Sequence, residues 1–205
     1  MNKDILEAKS ILSITPFEKV DIEEIDERRL YINSIIDEDI IDSIVFYILK
    51  YNREDKGKPK EERKPILVYI NSPGGSVVDG FGLIDAMINS KTPVYTINLA
   101  LAASMGFLIF LAGEKRYTMT HSEFLMHDGS GFAADSTAKM KDRMEFETNQ
   151  LEVMVREYIM GRTTIDDELY KEKYRVEWYM LPKEAKEHGI VTDIVGIDCD
   201  IDNII

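Results

Sequence analysis

Ile97-Asn-Leu-Ala-Leu-Ala-Ala-Ser-Met-Gly-Phe-Leu-Ile-Phe-Leu-Ala-Gly113 is a long apolar stretch that carries one hydroxyl, Ser104. Its apolar part, Leu99 to Ala112, falls short of the roughly 20 residues that span a bilayer. Asn98 and Gly113-Glu-Lys-Arg116 bound it, so it reads as a buried core helix. A hydroxyl in such a core costs roughly 1–3 kcal/mol unless it is paired. Ser104 is therefore either back-bonded to its own helix or kept for a chemical task. Composition leaves both open, because Ala102, Ala103, Ser104 and Gly106 also suit close helix packing.

Working outward, Pro93 to Ile97 reads as a strand ending at Asn98, and a helix begins near Ser104. Upstream, Pro65 to Asn71 is a buried strand, Ser72-Pro-Gly-Gly-Ser76 a turn, and Val77 to Ser90 a helix. Still earlier, Ile35, Ile36, Ile40, Ile41, Ile44, Val45, Tyr47 and Ile48 predict an amphipathic helix over Ile32 to Tyr51, followed by a solvated loop from Asn52 to Lys64. Downstream, strands are predicted at Arg116–Met119 and Glu123–Met126. A long helix follows from Ser136 to Met160, with Ser136 or Thr137 as N-cap and Gly161 as its stop. The methionines of that helix read as packing, in the core or against another subunit. Alternating strands and helices argue for an α/β layered domain.

With 205 residues the chain is most simply one globular domain. A net charge of −13 argues against nucleic acid and anionic membranes as partners. The single cysteine, Cys199, excludes an internal disulfide and a Cys-rich zinc site, and suits a reducing, cytoplasmic compartment. The N-terminus has no apolar core of signal-peptide length. No metal or cofactor is called for.

The surroundings of Ser104 favour chemistry. A hydroxyl at a helix N-terminus sits among unpaired N–H groups that favour developing negative charge. A serine nucleophile needs a base, and the chain offers His121, His127 and His188. His127 follows the apolar Phe124-Leu-Met126 and precedes a Gly-rich loop, Asp128 to Gly131, where a strand end can hold an imidazole in a cleft. His121 and His188 stand in polar contexts and read as surface residues. Gly74-Gly75, at the end of a buried strand, can bring backbone N–H groups up to a substrate oxygen, although most Pro-Gly-Gly segments are merely turns.

Taken in order, Tyr69-Ile-Asn-Ser-Pro-Gly-Gly-Ser76, Ala102-Ala-Ser-Met-Gly106 and Phe124-Leu-Met-His127 resemble the signature segments of the ClpP family, the Clp protease proteolytic subunits. The resemblance runs from about Leu30 to Val195 and leaves residues 1–29 as a polar leader or axial segment. It implies a crotonase-like fold of repeated ββα units, with the helix at about 136–160 as a protruding handle. It implies Ser104 as nucleophile, His127 as general base, and the Gly75 and Met105 N–H groups as oxyanion hole. It further implies heptameric rings, two of them stacked, that enclose a chamber where unfolded polypeptides are hydrolysed. A Clp-type AAA+ ATPase would feed the chamber; this chain has no G-x-x-x-x-G-K-[ST] loop, so ATP use would belong to that partner.

Three features depart from the family pattern. Aligning Glu184-Ala-Lys-Glu-His-Gly189 with the family's segment puts Glu177 where the triad aspartate stands, with Asp128 and Asp193 as lesser substitutes. Gly129 replaces the proline two residues beyond the histidine. Residues 1–29 lack the usual N-terminal pattern, and the Asn52–Lys64 loop is longer. The main expectation is thus an ATP-dependent serine endopeptidase subunit. Its rivals are a processing peptidase without an ATPase, an inactive ring subunit, and a crotonase-type acyl-CoA enzyme.

Overall fold

The strand expected before the Pro-Gly-Gly turn lies inside a sheet that has seven strands among the described residues. The computed structural model describes residues 16–129 and 136–205. Strands β1 (Arg29–Ile32), β2 (Ile66–Ser72), β3 (Val94–Ala103), β4 (Lys115–Thr118) and β7 (Asp193–Ile194) lie side by side in that order, all parallel. β2 is buried along most of its length, as a strand covered on both faces must be.

The sheet forks along β3. Tyr95–Asn98 pair with β4, whereas Leu101–Ala103 pair with β5 (Glu123–Met126) on the same edge. β6 (Trp178–Met180) then adds to β5 antiparallel. Asn98, fully buried at the fork, donates from Nδ2 to the Glu123 carbonyl at 2.9 Å, while its own carbonyl accepts from the Met119 amide at 3.0 Å. One side chain and one peptide unit thereby tie both branches together.

The fork corrects the reading of the apolar run. β3 continues to Ala103, five residues past the expected end at Asn98, and helix α4 occupies only Met105–Leu111. Leu and Ala in Leu99–Ala103 favour helix on propensity, but ladder pairing with β2 and β5 overrides that preference. All seven residues of α4 are buried, so the second half is the core helix that its composition suggested.

The isoleucine-rich segment divides in a similar way. β1 takes Leu30 and Ile32, and Ile36 forms an isolated bridge to Gly75. Helix begins only at Asp39 and Ile40 and runs through a π turn, Ile41–Val45, into α2 (Phe46–Glu54). Helical spacing over Ile35 and Ile36 does not carry over, because Ile36 bridges to Gly75 and Ile35 lies exposed outside any helix. Helix α1 (Pro16–Asp26) lies within the segment read as a leader. Residues 1–15, and Ser130 and Gly131 of the Gly-rich loop after His127, lie outside the described residues.

The Asn52–Lys64 segment is only partly a solvated loop. Asp55 within it is fully buried. Its carboxylate accepts from Arg28 (Nη1 at 2.5 Å, Nη2 at 3.0 Å), from Lys58 Nζ at 2.9 Å and from Thr92 Oγ1 at 3.0 Å. Arg28 also donates to the Lys64 carbonyl at 2.9 Å. This clamp pins both ends of the segment to the residue that precedes β1.

On the sheet, α3 (Val77–Ile88) buries Gly80, Leu83, Ile84 and Met87, an i, i+3, i+4, i+7 stripe. Ser76 caps it, accepting from the Asp79 amide at 3.4 Å. The expected long helix is a rod of α5 (Thr137–Phe146), a π turn (Glu147–Leu151) and α6 (Glu152–Arg162). Gly161 does not stop it. The rod ends where Thr163 turns extended and its hydroxyl donates to the Ile159 carbonyl at 2.8 Å. Met144 and Met154 are exposed on the rod, which excludes core packing for those two. Helices α7 (Asp167–Lys173) and α8 (Pro182–Glu187) flank β6. No helix among the described residues is long and apolar enough to cross a membrane, and no cluster of side chains among them could hold a metal ion.

Candidate active site

Ser104 occupies the single-residue joint between β3 and α4, at φ 52° and ψ −121°. Such a backbone is rare for a residue with a side chain and costs on the order of 1–3 kcal/mol. Both neighbours enforce it. The Ser104 amide donates to the Leu125 carbonyl at 2.9 Å, extending the β3–β5 ladder, while its carbonyl accepts from the Phe107 and Leu108 amides at 3.0 and 3.2 Å, starting the helix.

The Ser104 side chain does not cap α4, so the back-bonded reading fails. Instead it lines a cleft of about 390 Å³ together with Gly75, Met105, Met126 and His127. The β3–β5 pairing explains the meeting of serine and histidine. Ala103 is level with Leu125, so the residues just beyond each strand, Ser104 and His127, emerge at the same end of the sheet. His127 is half-buried. Among the described residues no hydrogen bond joins its imidazole to the Ser104 hydroxyl.

The Pro-Gly-Gly turn closes the cleft from the β2 side. The Ile36 amide donates to the Gly74 carbonyl at 2.8 Å and the Ser76 amide to the Ile36 carbonyl at 2.7 Å, which holds the turn from both sides. Gly74 (φ +100°) leaves no room for a Cβ, which would stand 2.6 Å from that of Ser104. At Gly75 (φ +147°) a Cβ would stand 2.2 Å from the Ile36 carbonyl oxygen. Among the described residues the Gly75 and Met105 amides have no backbone acceptor; Met105 begins α4, where such orphan donors arise. Gly75→Ala is expected to lower both thermal stability and the rate of Ser104 labelling by a fluorophosphonate. Unchanged labelling would show that the turn tolerates a side chain there.

Glu177 stands outside the cleft, exposed, and accepts from the Tyr179 hydroxyl at 3.1 Å. Its register is nevertheless informative. Met126 pairs with Trp178, so one further antiparallel step sets Glu177 opposite His127. Asp128 is exposed beside His127, and Asp193 pairs with Tyr117 at the far end of the sheet. His121 is exposed, as expected. His188 is instead half-buried, its ring edge-on to Trp178 at 5.0 Å, and neither histidine lines the cleft.

Sequence reading missed the far wall, which the rod supplies through residues such as Glu147, Leu151, Glu152 and Val155. Tyr174, following α7, also reaches the cleft. Burial, and then the charges of Glu152 and Asp128, push its phenol up to about 12, so it is a neutral hydroxyl near pH 7. The four-residue spacing of Glu147, Leu151 and Val155 was a legible signal for one face, but not for what that face covers.

The family model described as Clp protease matches residues 19–198. The chain belongs to the Clp protease family. The match starts earlier than the Leu30 inferred from motifs and takes in most of α1. One relative is "ATP-dependent Clp protease proteolytic subunit 1" of Prochlorococcus marinus (strain MIT 9312), 34% identical, the match covering 80% of this chain and 82% of that protein. Another is "ATP-dependent Clp protease proteolytic subunit" of Chaetosphaeridium globosum, 32% identical over 85% of this chain and 84% of that protein. A third is subunit 3 of the same name from Streptomyces avermitilis, 31% identical over 82% and 74%. The forked, mostly parallel sheet is accordingly a crotonase-like α/β fold, and the activity class is that of a serine endopeptidase of Clp type.

Proposed function

We propose that this chain hydrolyses peptide bonds with Ser104 as nucleophile and His127 as general base. Ser104 Oγ attacks the scissile carbonyl while His127 takes its proton, then returns it to the leaving amine. The Gly75 and Met105 amides receive the developing oxyanion, a contribution of about 3–4 kcal/mol per donor. The observation that carries this reading is the strained Ser104 joint, which presents an uncapped hydroxyl to the cleft that His127 shares. Catalytic hydrogen bonds are often long in the unliganded state and tighten with substrate, which suits a serine and histidine not yet bonded.

Glu177 orients His127 in this proposal, by the register that sets it opposite. Its bond to Tyr179 favours a second, purely structural role. Glu177→Gln is expected to lower kcat by roughly 10²- to 10⁴-fold, with Glu177→Asp retaining most activity because it keeps the charge. A Gln variant at wild-type kcat would assign the structural role instead.

The handle reading extends to assembly. The rod exposes the apolar side chains Met144, Phe146, Val153 and Met154, and contacts with further copies in two stacked heptameric rings would cover them. Substrates would be unfolded polypeptides passed on by a Clp-type ATPase, in keeping with the relatives' names. The segment 30–205 is the peptidase domain in this scheme, and 1–29 an axial segment. Fluorophosphonate treatment followed by native mass measurement tests the scheme. The expected result is one adduct on the Ser104 peptide and a multiple of seven chains; absence of labelling would remove the peptidase mechanism.

A further inference from the structure

The cleft that holds Ser104 is walled on its far side by one face of the rod: Arg143, Glu147, Leu151, Glu152, Val155 and Ile159. Around the π turn at Glu147–Leu151, the consecutive side chains Leu151 and Glu152 both reach the cleft. Among the described residues Arg143 is the one Lys or Arg lining it, and its Nε donates to Glu147 Oε1 at 2.6 Å, so those two charges cancel. Glu152 is left over. It is half-buried, has no ion-pair partner among the described residues, and stands between the apolar Leu151 and Val155. Arg156, one turn further on, is committed to Asp167. Tyr174 across the wall is a neutral phenol that offers no compensating charge.

A carboxylate that lines a cleft beside apolar side chains, with no paired cation among the described residues, attracts a cation more strongly than the same group does at an open surface. Lysine and arginine fit such a wall because their aliphatic stems lie along apolar side chains while the head reaches the charge. We infer that Glu152 is a specificity-determining residue that selects substrates carrying a lysine or arginine close to the scissile bond. The inference rests on the peptidase reading above and deepens it.

The test compares matched fluorogenic peptides with lysine, norleucine or glutamate at each position flanking the cleaved bond. The ratio of kcat/KM values is read within each variant, so that any general loss cancels. In the wild-type chain the lysine-to-norleucine ratio at one position is expected to be on the order of ten, and to shrink as salt is raised. In E152Q it falls to about one, and in E152K the glutamate peptide becomes the favoured one. Equal lysine and norleucine rates in the wild-type chain, or a preference that E152Q leaves intact, overturn the inference. If no peptide is cut the inference is likewise overturned, and fluorophosphonate labelling of Ser104 then decides whether the peptidase reading falls with it.

Discussion

Ser104→Ala is expected to abolish peptide hydrolysis, with kcat lower by roughly 10⁴-fold or more, while thermal stability holds or rises slightly. The size follows from the role, since a triad without its nucleophile retains only what binding and oxyanion donors contribute. The stability expectation follows from the local geometry. Ser104 makes no side-chain hydrogen bond to α4 that alanine would lose. The strained φ of 52° is enforced by backbone bonds to Leu125, Phe107 and Leu108, which alanine keeps. Hydrolysis with a peptide substrate and a melting curve on the same preparation check both halves. Wild-type turnover in the variant would remove Ser104 from the chemistry; a collapsed melting curve would mean that the hydroxyl is structural.

Asp55→Ala is expected to destabilise the fold by about 3–5 kcal/mol, which for a chain of this size lowers Tm on the order of 10 °C. The substitution leaves Arg28, itself nearly buried, with the exposed Glu54 carboxylate at 3.7 Å as its one remaining ion-pair partner among the described residues, beside the neutral Lys64 carbonyl. Hydrogen bonding from Arg28 holds the Asp55 carboxyl well below the usual carboxylate range, against the opposing effect of burial, with Lys58 and Thr92 adding to it. Because the folded value is depressed, the stabilisation is complete above the unfolded value near pH 4 and is lost as pH falls below it. The Tm gap between wild type and Asp55→Ala should therefore narrow on acidification below about pH 4. A gap that stays constant there would mean that the clamp contributes by packing alone.

Local chemistry was legible where it was written in contiguous residues. Pro65–Asn71, Glu123–Met126 and Val77–Ser90 folded close to their predicted types, because buried apolar runs bounded by turn residues admit few alternatives. Three segments were legible only in part. Leu99–Ala103 has a helix-like composition and became strand, Ile35 and Ile36 have helical spacing and became a strand-edge connection, and Asp55 sits in a charged loop yet is fully buried. In each, a partner far along the chain decided the outcome: β5 for the first, Gly75 for the second, Arg28 for the third.

The amino-acid order by itself determined the family, the alternation of strands and helices, and the short list of groups able to do chemistry, because residue type and spacing carry that information without reference to distance. Only the tertiary structure decided that the sheet forks at Asn98, that Ser104 and His127 open into one cleft, and that Glu152 on the rod forms part of its wall. Ladder register and helix docking join residues separated by tens of positions, and no local propensity encodes which of those pairings wins.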